Sequence, residues 1–281
     1  MLRIITDSTC EASEELMSHP RVSVVPLSVV FGQVALRDLI DITRDEFWKR
    51  LPDSNPLPTT SQATPGDFTK LYRQFTEAGD EVIAITLSSK LSGTYDSAIS
   101  ARDAMPGQPI DVVDSLSISV GLGLMVQDAV AFVEAGKTRA EVVAHLLTMR
   151  EKVHLLFALD TLEYLQRGGR IGKAQAFVGT LLKFKPILAI VDGEVQPVTR
   201  VRSSAKALEA MQDALAERVS ARGPQVKLGV THAVVPEEAA RIGQALLARF
   251  ETPHLLFSAL GPVIGTHVGP RTIGAAVYPG P

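Results

Sequence analysis

Short β-branched runs alternate with stretches of helical spacing along the first half of the chain. Leu2 to Thr6, Glu81 to Leu87 and Ile110 to Ser115 are brief, apolar and bounded by polar residues, the pattern of strands buried on both faces of a parallel sheet. Between them, helical spacing is read from Asp7, Ser8 and Thr9 through Leu16, over Asp45 to Arg50, over Pro65 to about Ala78, from Ser92 through Arg102, over Ile118 to about Ala135 and over Thr138 to Lys152. Val153 to Leu159 is one more apolar run, expected to close the same sheet. Arg21 to Gly32 has strand character but contains Pro26, which predicts an edge position or a break. Alternating strand and helix predict a doubly wound, mostly parallel sheet.

The second half reads differently. After a boundary near Asp160 come a short helix, a tight turn at Gly168 and Gly169, and an apolar helical face from Ala174 to Lys185. That face, with Ala176, Phe177, Thr180, Leu181 and Phe184, suits the wall of a tunnel as well as a core. Ile187 to Arg202 is a hairpin around Asp192-Gly193, and Ser203 or Ser204 then caps a helix to about Arg222. A strand ending at Ala233, a helix over Pro236 to Phe250 and a strand ending at Leu260 follow. The expectation is an α/β protein of two domains: residues 1–159 around the parallel sheet, and residues 160–281 around a mixed or antiparallel one.

Composition narrows the function classes. A length of 281 residues supports two domains, and a net charge of -3 gives no general attraction to nucleic acid or an anionic surface. The one cysteine, Cys10, excludes an internal disulfide and no Cys/His set has zinc spacing, which fits a reducing cytoplasm. The apolar run at the N-terminus is soon broken by Asp7, too short for a signal segment or a membrane span.

Three polar, punctuated segments carry candidate chemistry. In Leu87 to Ala98 (LSSKLSGTYDSA) a strand meets a helix start through Ser92, Gly93 and Thr94. Free backbone N–H groups and the positive helix end make such a junction an anion cradle, although capping is the commoner job of a lone serine there. Thr59, Thr60, Ser61 and Gln62 form a polar loop just before a helix whose start is marked by Thr64, Pro65 and Asp67. His267 lies in a closing segment of five glycines and four prolines, costly to order without a specific purpose. In a doubly wound sheet such junctions converge outside the carboxyl ends of the strands, where hydroxyls and a histidine suit a carboxylate.

Four other readings stand beside this one. Ser92 as nucleophile, His267 as base and Asp7 or Asp114 as orienter would make an acyl hydrolase, but KLSGT lacks the G-x-S-x-G elbow. A different small anion, such as a phosphorylated metabolite, would suit the same cleft. GGRIGK has only three residues between Gly168 and Gly172, and Ala174 follows Lys173, so it is not a nucleotide loop. Gly121 and Gly123 begin a dinucleotide fingerprint that Val126 breaks, and close helix packing explains them better.

The segments DSTCE (Asp7 to Glu11), PTTSQATPGDF (Pro58 to Phe68), LSSKLSGTYDSA, VVDS (Val112 to Ser115), LEYLQRGGRIGKA (Leu162 to Ala174) and GTHVGP (Gly265 to Pro270) together resemble the DegV proteins over essentially the whole chain. That family includes the fatty-acid-binding subunit of the bacterial fatty acid kinase. The resemblance implies one long-chain fatty acid held between two domains, with Thr60, Ser92 and His267 on its carboxylate and Ser61 and Gly93 beside them. It implies a carrier without a catalytic residue, metal or cofactor of its own. It also implies docking of a separate ATP-dependent kinase at Arg170 and Arg202, and contact with a membrane only in passing, to exchange lipid. Ala63 stands where the family usually has proline, and Arg271 where it usually has glycine, which brings a charge near the expected head-group site with three uses open to it: strengthening carboxylate binding, pairing with a nearby acid, or pointing to solvent.

Overall fold

The computed structural model describes residues 1–177 and 184–281. β1 (Leu2–Asp7) leads through a turn to α1 (Glu14–Met17), capped by Ser13. The helix begins later than expected because Asp7 engages Thr9 in a turn of its own. β2 (Val22–Val25) and β3 (Ser28–Phe31) are separated at Pro26, β4 (Val34–Arg37) returns along β3, and α2 (Arg44–Arg50) follows behind a Thr43–Glu46 capping box. Thr59–Ser61, expected as loop, forms a three-residue strand, β5, too short to show periodicity, paired antiparallel to β3.

α3 (Pro65–Glu77), started as expected by Thr64, Pro65 and Asp67, precedes β6 (Glu81–Thr86). Next come α4 (Thr94–Asp103), β7 (Ile110–Asp114), α5 (Ser119–Glu134), α6 (Arg139–Arg150) and β8 (His154–Ala158). α7 (Glu163–Arg167) leads into a 3-10 stretch over Gly172–Phe177. The expected helix from Ala174 to Lys185 is therefore 3-10 where it is described; Thr180 and Leu181 lie outside the described residues, and Lys185 already opens a strand. β9 (Lys185–Val191) and β10 (Glu194–Val201) are the expected hairpin. α8 (Ser204–Arg218, capped by Ser203), β11 (Lys227–His232), α9 (Pro236–Phe250), β12 (Leu255–Ala259), α10 (Pro262–Val268) and β13 (Ile273–Tyr278) complete the chain.

Among the described residues the strands form three sheets. The first, β2-β1-β6-β7, is parallel throughout, and the second, β10-β9-β8-β13-β11-β12, is mixed, with only β11 and β12 parallel. β4-β3-β5 is a small antiparallel sheet. β8 does not close the first sheet: it pairs antiparallel with β9 and β13. An apolar run states that a strand is buried, not which sheet buries it.

α5 is apolar around most of its circumference because it lies between the two large sheets, touching β1 and β6 on one side and β11, β12 and β13 on the other. Gly121 and Gly123 sit inside it, and a Cβ on Gly123 would overlap the Glu11 carbonyl. Close packing is their use. No described helix is long and apolar enough to cross a membrane.

Candidate functional site

A cavity lies between the carboxyl ends of β1 and β6 and the facing side of the six-stranded sheet, about 750 Å³ when the space open to solvent is counted with it. Phe157, Leu159, Leu188 and Ile190 wall it from that sheet, and Val263 and Val268 from α10. Its polar lining includes Thr9, Thr60, Ser92, Arg170 and His267. The three residues expected on the carboxylate therefore share one cavity, reached from three separate elements.

β5 alternates, so Thr60 is half-buried between exposed Thr59 and Ser61. Thr60 Oγ1 lies 2.8 Å from His267 Nε2, whereas Ser61 is exposed and does not line the cavity. Ser92 is not the cap of α4; Gly93 takes that place, and Ser92 Oγ accepts from the Thr94 N–H at 3.3 Å and lies 3.0 Å from Thr94 Oγ1. Gly93 serves packing: a Cβ there would overlap the Gln62 side chain, whose Nε2 donates to the Gly93 carbonyl at 3.2 Å and to Ser97 Oγ at 3.1 Å. Gln62, also on the cavity wall, thus ties the segment after β5 to the start of α4. The sequence places Gln62 in the same polar segment as Thr60 and Ser61, but nothing local marks it as a tie to α4.

Burial, with the Arg170 charge as a second cause, pushes the His267 imidazole down to about 4, so the ring is neutral near pH 7. Arg170 is exposed, donates from Nη1 to the Gly168 carbonyl at 2.9 Å, and also lines the cavity. Arg202 is exposed and lies with its guanidinium 5.9 Å from the Phe184 ring centre, outside the cavity lining. Of the two arginines expected at a docking surface, only Arg170 reaches the pocket.

Neither proposed orienter is placed for a nucleophilic triad. Asp7 accepts from the Thr9 N–H and hydroxyl at 3.0 and 2.6 Å and from the Leu87 N–H at 2.7 Å. Burial raises its carboxyl while these bonds oppose the rise. Asp114 accepts from the Ser89 and Leu116 N–H groups at 3.2 and 3.0 Å. Both carboxylates shape the turns that close the parallel strands. Arg271 also lies away from the cavity: its guanidinium donates to Glu238 at 3.0 Å, and its φ of 63° is the left-handed conformation that glycine adopts freely.

A second polar group holds the other end of α10. Glu11 Oε1 accepts from the Gly261 N–H at 2.6 Å, and Glu11 Oε2 faces Ser258 and Arg44 at 3.3 and 3.4 Å. Burial pushes the Glu11 carboxyl up to about 7, Arg44 opposing. Asp38, buried beside the same glycine, is pushed up to about 8 by burial and then by Glu11. Among the described residues no group of three or more His, Cys, Asp or Glu side chains could hold a metal ion.

The family model described as an uncharacterised protein family, DegV, matches residues 1–280. The chain belongs to the DegV family. Protein DegV of Bacillus subtilis is 35% identical over 276 residues, covering 97% of each chain. Among solved DegV structures, one from Thermus thermophilus, described by its fatty acid binding, is 36% identical, covers 99% of both chains and superposes with a TM-score of 0.93. A stearic acid-binding protein from Eubacterium ventriosum is 29% identical, covers 99% of this chain and 98% of its own, and has a TM-score of 0.90. The DegV fold, with its parallel first sheet and mixed second sheet, is that of this chain.

Proposed function

We propose that this DegV protein holds one long-chain fatty acid in the cavity, its carboxylate against Thr60, Ser92 and His267, and presents that carboxylate to a separate ATP-dependent kinase. The observation that carries the reading is one cavity with apolar walls from the mixed sheet, from the segments that follow the parallel strands and from α10, and with these hydroxyls and the histidine gathered on its polar lining. Each methylene buried contributes roughly 0.8 kcal/mol, so the acyl chain supplies most of the affinity. The polar groups orient the head. The fatty acid binding of the Thermus thermophilus relative supports the same assignment.

The protein acts as a carrier rather than an enzyme. Ser92 is engaged with Thr94 and His267 with Thr60, and neither Asp7 nor Asp114 orients the imidazole. Arg170, exposed and on the cavity wall, faces the kinase, with Arg202 on the same docking surface. The site of action is the cytoplasm, with membrane contact limited to lipid exchange. Native mass spectrometry of protein purified from cells should show one bound fatty acid. Repeated ligand-free spectra under mild conditions would overturn the reading.

A further inference from the structure

His267 is fixed from two sides, and only one of them is a hydrogen bond. Nε2 meets Thr60 Oγ1 at 2.8 Å. Nδ1 is buried from solvent and has no hydrogen-bond partner among the described residues. What stands against it is Gly168, the residue that ends α7, placed so that a Cβ would overlap Nδ1 itself. The backbone around that contact is already engaged: the Gly168 N–H donates to the Tyr164 carbonyl at 2.8 Å, the Gly169 N–H to Gln166 at 3.3 Å, and the Gly168 carbonyl accepts from Arg170 at 2.9 Å. One turn back, the Tyr164 ring packs on Gly269, where a Cβ would also overlap it. α7 is thus seated on the end of α10 at two glycines.

This surrounding chooses between the two neutral forms of the ring. A proton on Nδ1 would be a buried donor with no acceptor, costlier than a bare lone pair. A lone pair, by contrast, tolerates a Cα–H against it. The proton then sits on Nε2 and is donated to Thr60 Oγ1, which leaves the Thr60 hydroxyl proton free for another acceptor. Glycine is needed at position 168 for space, since its φ of -75° is open to any residue.

We propose that Gly168 is a positioning residue of the head-group site: its bare Cα seats the His267 ring in the Nε2–H form, which makes the Thr60 hydroxyl a donor to the bound carboxylate, so that the hydrogen-bonding part of His267 at the head group is played through Thr60. The role at the carboxylate rests on the fatty-acid reading above; the form of the ring does not.

Long-range proton–nitrogen NMR of the delipidated full chain, with His267→Gln to assign the signals, reads the form directly. Nδ1 should be bare and Nε2 protonated near pH 7. A protonated Nδ1 would overturn the proposal, and this readout stands even if Gly168 variants fold poorly. Gly168→Ala should shift the His267 signals and weaken oleate binding about tenfold, the scale of one lost hydrogen bond. Added to His267→Gln, it should cause no further loss, because residues acting as a unit are not additive. Full additivity, or unmoved ring signals in a folded Gly168→Ala protein, would refute the positioning role. Wild-type protein that binds no oleate but shows the Nε2–H ring would sink the fatty-acid reading and leave the ring assignment standing.

Discussion

His267 should make folding stability fall with acid by a predictable amount. The imidazole ordinarily titrates at 6.5, and burial takes it down to about 4 in the folded chain. Between those values the unfolded chain binds the proton and the folded chain does not, so stability rises with pH across the window and is lost as pH falls through it. The gap between 6.5 and about 4, at about 1.4 kcal/mol per pH unit, corresponds to roughly 3 kcal/mol. His267→Gln keeps an amide donor near Thr60 and removes the titration. Urea unfolding of delipidated wild type and variant at several pH values isolates the effect, because Glu11, Asp38 and other titrating groups are common to both chains. The difference in unfolding free energy should move by roughly 3 kcal/mol from near neutrality to about pH 4, wild type losing more. Parallel pH profiles would refute the neutral, desolvated ring on which the head-group argument depends.

Ser92→Ala and His267→Ala should each lower the fatty acid retained on purification without unfolding the chain; unchanged lipid content by mass spectrometry in both would remove them from the head-group assignment. Arg170→Ala should retain lipid but reduce acyl phosphate formation when a fatty acid kinase and ATP are supplied, and an unchanged rate would contradict its docking role. Asp38→Asn should stabilise the protein increasingly as pH rises: the folded carboxyl, pushed up to about 8, gives wild type a stability present below about 4 and lost through about 8, which the amide does not lose. Equal urea midpoints at all pH values would count against it. Arg271→Gly should alter stability by less than about 1 kcal/mol, since it removes an exposed ion pair with Glu238 and relieves a φ of 63°; lipid content should not change.

What could be read from the sequence was whatever depends on local pattern. Thr64, Pro65 and Asp67 start α3 as expected, Pro26 divides β2 from β3, and Asp192-Gly193 turns the hairpin, because caps, prolines and two-residue turns act on their own neighbours. Long-range assignments were less legible. His154–Ala158 has the same apolar character as the strands of the first sheet, and only its antiparallel partners β9 and β13 place it in the second. Ser92 does not cap α4, and position 93 takes a glycine because Gln62, thirty-one positions away, fills the space a side chain there would need. Glu11 closes the DSTCE segment, but nothing local marks its role at α10. Its partner, the Gly261 N–H, is 250 positions distant.

That distance says how the site is assembled. α10 is held at its start by Glu11 and near its end by Thr60, 207 positions from His267, and both anchors belong to the first half of the chain. α10 itself is the helix that precedes β13, a central strand of the mixed sheet. Neither large sheet therefore contains the site alone; its geometry exists only when the two are docked around α5. A variant that perturbs this docking from outside the cavity lining should consequently disturb the ring of His267 as surely as a substitution beside it. Gly123 provides the case: Gly123→Ala would press a Cβ into the Glu11 carbonyl, next to the carboxylate that holds α10. Overpacking of this kind costs about 1–3 kcal/mol. The His267 NMR signals should shift in the folded variant, and signals identical to wild type would show that the head-group site does not depend on how the sheets dock.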